Sequence, residues 1–263
     1  MRKTNVVLSF DDGRGDNYRI AINELAPRGI NATFNITSGY IEKKIPLDDL
    51  CPNEPMSIDN IIEISKNPLF EIAGHGYAHD NSIQDWDKGM RKLMEWIGSD
   101  YFVKGYGIAS PHSVIDDNWI KKHRTDCEKS NIKYIRTGLV NQKDLLQRGI
   151  SKIARKTGSK LLMYLPIEHS LKPIEPTDYL HYSVPILHPH TIYQVVKLIE
   201  KTIRMNGDVI LMFHSILNEG EDNYSSIYTW AYRKFVALCD YLYEKRKTGE
   251  IEVKTNFELI KSR

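Results

Sequence analysis

Short apolar runs rich in β-branched residues alternate along this chain with stretches of helical periodicity, and that alternation limits the fold more than any other feature. Residues 5–10 (Asn-Val-Val-Leu-Ser-Phe) form such a run and read as a strand covered on both faces. Residues 17–25 follow with Ile20, Ala21 and Leu25 at helical spacing, Pro27 and Gly29 stop that helix, and residues 30–36 read as a second strand. After an irregular stretch holding Pro46, Pro52 and Pro55, the pattern resumes: helix 57–65, strand 70–73, helix 85–101, strand 106–109, helix 116–130 and strand 132–135, which ends at Arg136. Further on come strand 182–187, a helix from a Thr191 cap to Met205, strand 208–213, and a closing helix over 227–243. Strand, helix, strand in repetition argues for a parallel sheet with helices outside it, either a closed barrel or an open doubly wound sheet. Residues 137–181 fit the pattern least. They hold a helical stretch at 143–156 and an apolar run at 161–165, and read as an insertion within one domain spanning residues 1–263.

Composition removes several classes. Hydrophobic residues at 41% and charged residues at 27% are ordinary for a globular chain and exclude wholesale disorder. The net charge of +2 gives no sign of a nucleic-acid partner, so an anionic partner would have to be met locally. Cys51, Cys127 and Cys239 are odd in number and far apart, which signals neither a disulfide framework nor a cysteine zinc site. Met1-Arg2-Lys3 begins like a signal peptide, but the apolar run after it ends at Phe10, before Asp11 and Asp12. No window approaches the roughly 18 apolar residues of a membrane span. The expectation is a cytoplasmic protein with no membrane span.

Parallel α/β folds collect functional groups at the C-terminal ends of their strands. Asp11 and Asp12 end the first strand, His75 and His79 follow the third, Pro111 and His112 the fourth, Arg136 the fifth, and His214 ends the last. The two histidines stand four apart, a spacing that on a helical turn faces both rings to one side, and a carboxylate from Asp12 completes a two-His, one-carboxylate divalent-metal site with open positions. Asp-Asp-Gly is also ordinary turn chemistry. Two carboxylates at the end of a buried strand, however, need a cation or a proton to relieve them. A metal would hold one ionised and leave the other to act as a general base. His214 after a buried apolar strand is either a satisfied structural histidine or a general acid. His188-Pro189-His190 reads as a loop before the Thr191 cap, and the cations Lys143, Arg148, Lys152, Arg155 and Lys156 as a solvated helix face.

In this order the pieces resemble the polysaccharide deacetylase family, also called NodB-homology or carbohydrate esterase family 4 enzymes. Ser9-Phe10-Asp11-Asp12-Gly13 is similar to that family's Thr-Phe-Asp-Asp-Gly, His75-Gly76-Tyr77-Ala78-His79 to its His-Ser/Thr-x-x-His, and Leu211-Met212-Phe213-His214 to the strand that ends in its catalytic histidine. The resemblance implies a distorted (β/α) barrel of about seven parallel strands. It implies Asp11 as catalytic base, Asp12, His75 and His79 as metal ligands, and His214 as catalytic acid. Zn2+ is the implied ion, with Co2+, Ni2+ or Fe2+ as alternatives, and the implied reaction is removal of an acetyl group, chiefly N-acetyl, from an amino sugar or glycan precursor. Pro111, His112 and Leu211 are the implied substrate-binding residues.

Two departures stand out. The family's third motif carries an Arg ahead of Pro that orients the base, whereas this chain has Ala109-Ser110-Pro111-His112; Arg136 is the candidate to take over that role. The family's fourth motif, an Asp near a Trp that supports the histidine acid, has no counterpart. The departures keep a catalytically silent carbohydrate-binding homologue open as an alternative. A non-haem iron oxygenase shares the two-His, one-carboxylate pattern, but the α/β alternation and the additional Asp11 and His214 argue against it.

Overall fold

β1 (Thr4–Phe10) is buried at every position and is the strand about which the sheet closes. The computed structural model describes residues 3–47, 53–138 and 179–261, together with Gly149, Ile150, Ile153, Tyr164, Glu168 and Leu171. Parallel pairing runs from β1 through β2 (Ala32–Ile36), β3 (Phe70–Gly74), β4 (Tyr106–Ala109), β5 (Ile132–Gly138), β6 (Leu180–Pro185) and β7 (Val209–Phe213), and β7 returns to β1. The result is a closed barrel of seven parallel strands, as the resemblance implied. β8 (Ser215–Leu217) and β9 (Thr229–Ala231) make a small separate pair just beyond β7.

The barrel is distorted for a specific reason. β7 pairs with Val6–Phe10 along one edge of β1, while on the other edge β2 reaches only Ser9 and Phe10. β10 (Ile251–Lys254) takes the lower part of that second edge, pairing with Thr4–Val7. Pleating then sorts the β1 side chains between two environments. Val6, Leu8 and Phe10 face the helical layer and share one hydrophobic cluster with Ile20, Leu25, Leu198, Phe235 and Leu238. Val7 faces inward with Ile210 and Leu259, and Ser9 meets Asn35 and Asn256.

The outer helices are α1 (Gly15–Ile20), α2 (Ile58–Ser65), α3 (Ile83–Ile97), α4 (Asp117–Lys129), α5 (Ile192–Arg204) and α6 (Tyr232–Lys247). Ser57 with Asn60 and Thr191 with Gln194 form reciprocal capping boxes that fix the starts of α2 and α5. Pro27 does not end the first helix. A π turn at Ala21–Leu25 widens the ladder, and Pro27 opens a last turn, Ala26–Arg28, that Gly29 closes at φ +62°. The closing helix also begins later than its apolar pattern suggests, at Tyr232. Trp230 belongs to β9, fully buried, with its Nε1–H donating to the His190 carbonyl at 2.8 Å.

A last helix, α7 (Asn256–Lys261), enters the barrel from the end opposite the strand C-termini. Its first amides donate to the Thr33 hydroxyl at 2.9 Å and to the Glu71 carboxylate at 3.0 Å, and Glu71 also accepts from Tyr134 and Thr33. A carboxylate at a helix N-terminus meets the positive end of the dipole and its unpaired N–H groups. Burial nevertheless holds the Glu71 pKa above its ordinary value, against the lowering by those hydrogen bonds. The anticipated helix 143–156, the apolar run 161–165 and the five-cation face lie outside the described residues apart from a few isolated positions. Among the described residues no helix is long and apolar enough to cross a membrane.

Candidate active site

At the C-terminal mouth of the barrel, the two adjacent carboxylates of Asp11 and Asp12 turn in different directions, and each meets its own arginine. Asp11 Oδ1 accepts from Arg136 at 2.5 Å and from Asn35 Nδ2 at 2.9 Å. Arg136 is fully buried within β5, whose register continues to Gly138, so its side chain crosses the bore instead of ending a strand. Asp12 Oδ2 accepts from Arg14 Nε at 3.2 Å and from the terminal guanidinium nitrogen at 2.6 Å. Burial pushes both carboxyls upward, yet Arg136 for Asp11 and Arg14 for Asp12, with the nearby histidines, carry them below the ordinary value, Asp12 well below. Two guanidiniums thus supply relief that the sequence argument assigned to a metal or a proton.

The other oxygen of Asp12 faces two imidazoles. Oδ1 lies 3.4 Å from His75 Nε2 and 3.6 Å from His79 Nε2, and the two Nε2 atoms are 3.2 Å apart. Ligand atoms about 2.1 Å from a tetrahedral ion stand about 3.4 Å from each other, so the three separations suit one divalent cation. The donor set fits as well. His75 Nδ1 is 2.8 Å from the Ala109 carbonyl, which only accepts, so a proton sits on Nδ1 and Nε2 is the ring atom turned toward Asp12 and His79. Burial, with His75 next in order, pushes His79 down to about 4, leaving it neutral and able to ligate.

The histidine spacing works by a different geometry from the expected helical turn. Residues 75–82 form an irregular loop with Gly76 at φ +80° and His79 at φ +60°. Asp85, in the first turn of α3, gathers that loop: its carboxylate accepts from the amides of Tyr77 at 2.9 Å, Ala78 at 2.8 Å and Asp80 at 3.2 Å. Gly76 is required on two counts, since a Cβ there would also lie 2.4 Å from the Asp85 carboxylate. Asp12 at φ +73° is another non-glycine residue in left-handed backbone, a costly conformation typical of functional sites.

His214 stands at the end of β7, half-buried, its ring 4.8 Å from that of Tyr228. Burial holds its pKa below the ordinary imidazole value, although Asp12 and Asp11 pull upward. No hydrogen-bond partner reaches its Nδ1 among the described residues. Support comes through the main chain: Asn17 Nδ2 donates to the His214 carbonyl at 2.8 Å, and Asp16 accepts from the Ile216 amide at 2.7 Å. Burial lifts Asp16 to about 6, against the lowering by the Ile216 amide.

Of the expected substrate contacts, Pro111 is buried beside the site with its carbonyl held by Asn81 at 2.7 Å, and His112 is exposed with its ring 4.4 Å from that of His79. Leu211 is a correction. It is fully buried on the helical side of β7, in the cluster that holds Leu8 and Val184, because alternate residues of a strand face opposite ways. Its neighbour Met212 is the residue that turns inward, its sulfur contacting Arg136, Ser113 and Ser183. His190 is buried and structural, its Nδ1 accepting from the Leu187 amide at 3.1 Å, while Lys234 binds the carbonyls of His188 and His190. Sequence reading passed over Arg14, Asn17, Asn35, Asp85 and Met212. Only Asp85 carried a signal, standing three residues after the Ser82 cap.

The sequence profile described as polysaccharide deacetylase matches residues 1–100, the stretch that carries Asp11, Asp12, His75 and His79. Over those residues the chain is similar to the polysaccharide deacetylase family. Across its whole length the likeness to this family is one of fold. The structure of the Bc1960 peptidoglycan N-acetylglucosamine deacetylase shares 14% identity at a TM-score of 0.51, covering 98% of this chain and 89% of that one. Similar also are the Xyl-CE4 domain of a multidomain xylanase from the hindgut metagenome of Trinervitermes trinervoides, at 14% identity, TM-score 0.48, 99% of this chain and 91% of that one, and a family 4 acetyl xylan esterase from Clostridium thermocellum in complex with a cobalt ion, at 14% identity, TM-score 0.47, 98% of this chain and 91% of that one. No curated protein matches the chain.

Proposed function

We propose that this chain is a metal-dependent hydrolase of the polysaccharide deacetylase family that removes an N-acetyl group from an amino sugar or glycan precursor, with Zn2+ the preferred ion. The observation that carries this reading is the paired arrangement of Asp11 on Arg136 and of Asp12 with His75 and His79, side by side at one mouth of the barrel. A divalent ion held by Asp12 Oδ1 and the two Nε2 atoms would supply Lewis-acid polarisation of the acetyl carbonyl and a more acidic water.

The chain's own residues do the rest. Asp11, kept ionised and oriented by Arg136 and Asn35, accepts a proton from the attacking water as its oxygen bonds to the acetyl carbon. Arg136 takes the part that the family's third-motif arginine plays. His214 gives its proton to the departing nitrogen as the carbon–nitrogen bond breaks, so that acetate and a free amine leave. Pro111, His112 and Met212 line the approach to these groups. Residues 1–263 make one NodB-homology domain, with the segment between β5 and β6 as an insertion.

Acetate release from a panel of N-acetylated amino sugars tests the reading; it should be lost with a chelator and in Asp11→Asn. Metal binding without turnover across a broad panel would favour the second reading, a silent carbohydrate-binding homologue, to which the absence of an Nδ1 partner for His214 among the described residues lends support.

A further inference from the structure

We infer that Arg14 is a positioning residue that keeps one oxygen of Asp12 out of the metal's coordination shell, so that Asp12 ligates through Oδ1 alone; this rests on the metal-site reading above. Both contacts that the guanidinium makes with Asp12 fall on the same oxygen, Oδ2, at 3.2 and 2.6 Å, whereas Oδ1 is the atom that faces the histidines. The two side chains are only 3% and 6% exposed, so the fork is shielded from water. A carboxylate that rotated to offer both oxygens would break two charge-assisted hydrogen bonds in a site shielded from water.

Arg14 is itself fastened. Its backbone bridges Pro55, the Gly15 amide donates to the Glu54 carbonyl at 2.8 Å, and the Met56 amide donates to the Gly13 carbonyl at 2.8 Å. On the far side Asp12 is fixed by its left-handed backbone and by Gly13 at φ +71°. Both partners of the fork therefore stand on main chain that is held in place. The chemistry that follows is that of an open site. Three single-atom ligands leave positions for water and for a carbonyl, and a cationic group on the carboxylate reduces its donation, which leaves the ion a stronger Lewis acid.

The test uses Co2+ as probe on the full chain, with the visible absorption of the cobalt form reporting coordination number and competition against a chelating dye reporting affinity. Arg14→Met should shift the absorption toward weaker, higher-coordinate bands as Asp12 becomes two-oxygen, and should tighten binding, because the carboxylate gains a ligand atom and loses the cation that reduces its donation. Arg14→Lys, which keeps the charge and one donor, should restore part of both and guards against a variant that fails to fold. A folded Arg14→Met with the wild-type cobalt spectrum overturns the inference, whether or not its affinity changes. Failure of the wild-type chain to bind cobalt would instead sink the metal-site reading, and the Arg14 role with it.

Discussion

Arg136→Met removes the guanidinium that meets the proposed base while keeping an unbranched apolar side chain beside Met212. Two unit charges about 4 Å apart interact by about 4 kcal/mol at an effective dielectric near 20, equivalent to about 3 pKa units at 1.36 kcal/mol each. Asn35 would remain on Asp11 Oδ1, so a rise of about 1–3 units is expected for the Asp11 carboxyl. The wild-type pKa is lowered, so its contribution to stability is present above the unfolded value of about 3.9 and is lost as pH falls through the folded value. In the variant, burial acts with less opposition and the folded value lies above 3.9. The sign then reverses: the contribution is present below about 3.9 and is lost as pH rises through the folded value. The stability difference between the two proteins should therefore be widest near pH 8, about 3–5 kcal/mol for a broken buried pair, and should narrow toward pH 4. Urea midpoints at the two pH values measure it, and the acid limb of kcat/KM for acetate release should move up by the same 1–3 units. A pH-independent difference with an unmoved acid limb would refute the claim that Arg136 governs Asp11.

Three further outcomes follow from the same geometry. Asp12→Asn should lose most of its divalent-metal affinity, and a metal concentration 100 times the wild-type Kd should raise wild-type stability by about 2.7 kcal/mol while leaving the variant unmoved, as thermal unfolding with and without metal will record. Asn17→Ala removes the hydrogen bond on the His214 carbonyl; at about 0.5–1.5 kcal/mol its loss should lower kcat by up to about tenfold with KM unchanged, and a change confined to KM would count against a positioning role. Gly107→Ala would place a Cβ 1.9 Å from the Tyr134 ring, so overpacking of about 1–3 kcal/mol should appear as a lower urea midpoint, and an unchanged midpoint would contradict the packing described.

The seven barrel strands were legible because each is a run of apolar or β-branched residues between charges, and burial on both faces leaves such runs little alternative. Ile251–Lys254 was not: four residues alternating Ile-Glu-Val-Lys after a lysine-rich helix resemble a tail until β1 is seen to lack a partner along its lower edge. His75 and His79 were identifiable by type and spacing, but the spacing argument presumed a helical turn, and the loop geometry depends on Asp85, whose amide contacts no periodicity reveals. Arg136 stood out because it follows an apolar strand in a chain whose third motif lacks its arginine, although β5 in fact runs on past it to Gly138. Arg14 and Asn17 did not, since Gly-Arg-Gly-Asp-Asn is plausible turn chemistry and their partners lie on other strands or on the far oxygen of a neighbour. Leu211 faces the helical layer while Met212 meets Arg136, because a shift of one residue along a strand exchanges its two faces.

The wedge of β10 against β1 bears on how the protein is made. β1 leaves the ribosome first among the barrel strands, yet its neighbours on the two edges include residues 209–213 and 251–254. The strand that carries the acid pair therefore waits, with unsatisfied edges, until more than two hundred further residues have been synthesised. During that interval the nascent chain offers a strand bearing Val6, Val7, Leu8 and Phe10 to any other unpaired edge, and it is then that a chaperone or a low expression temperature should matter most.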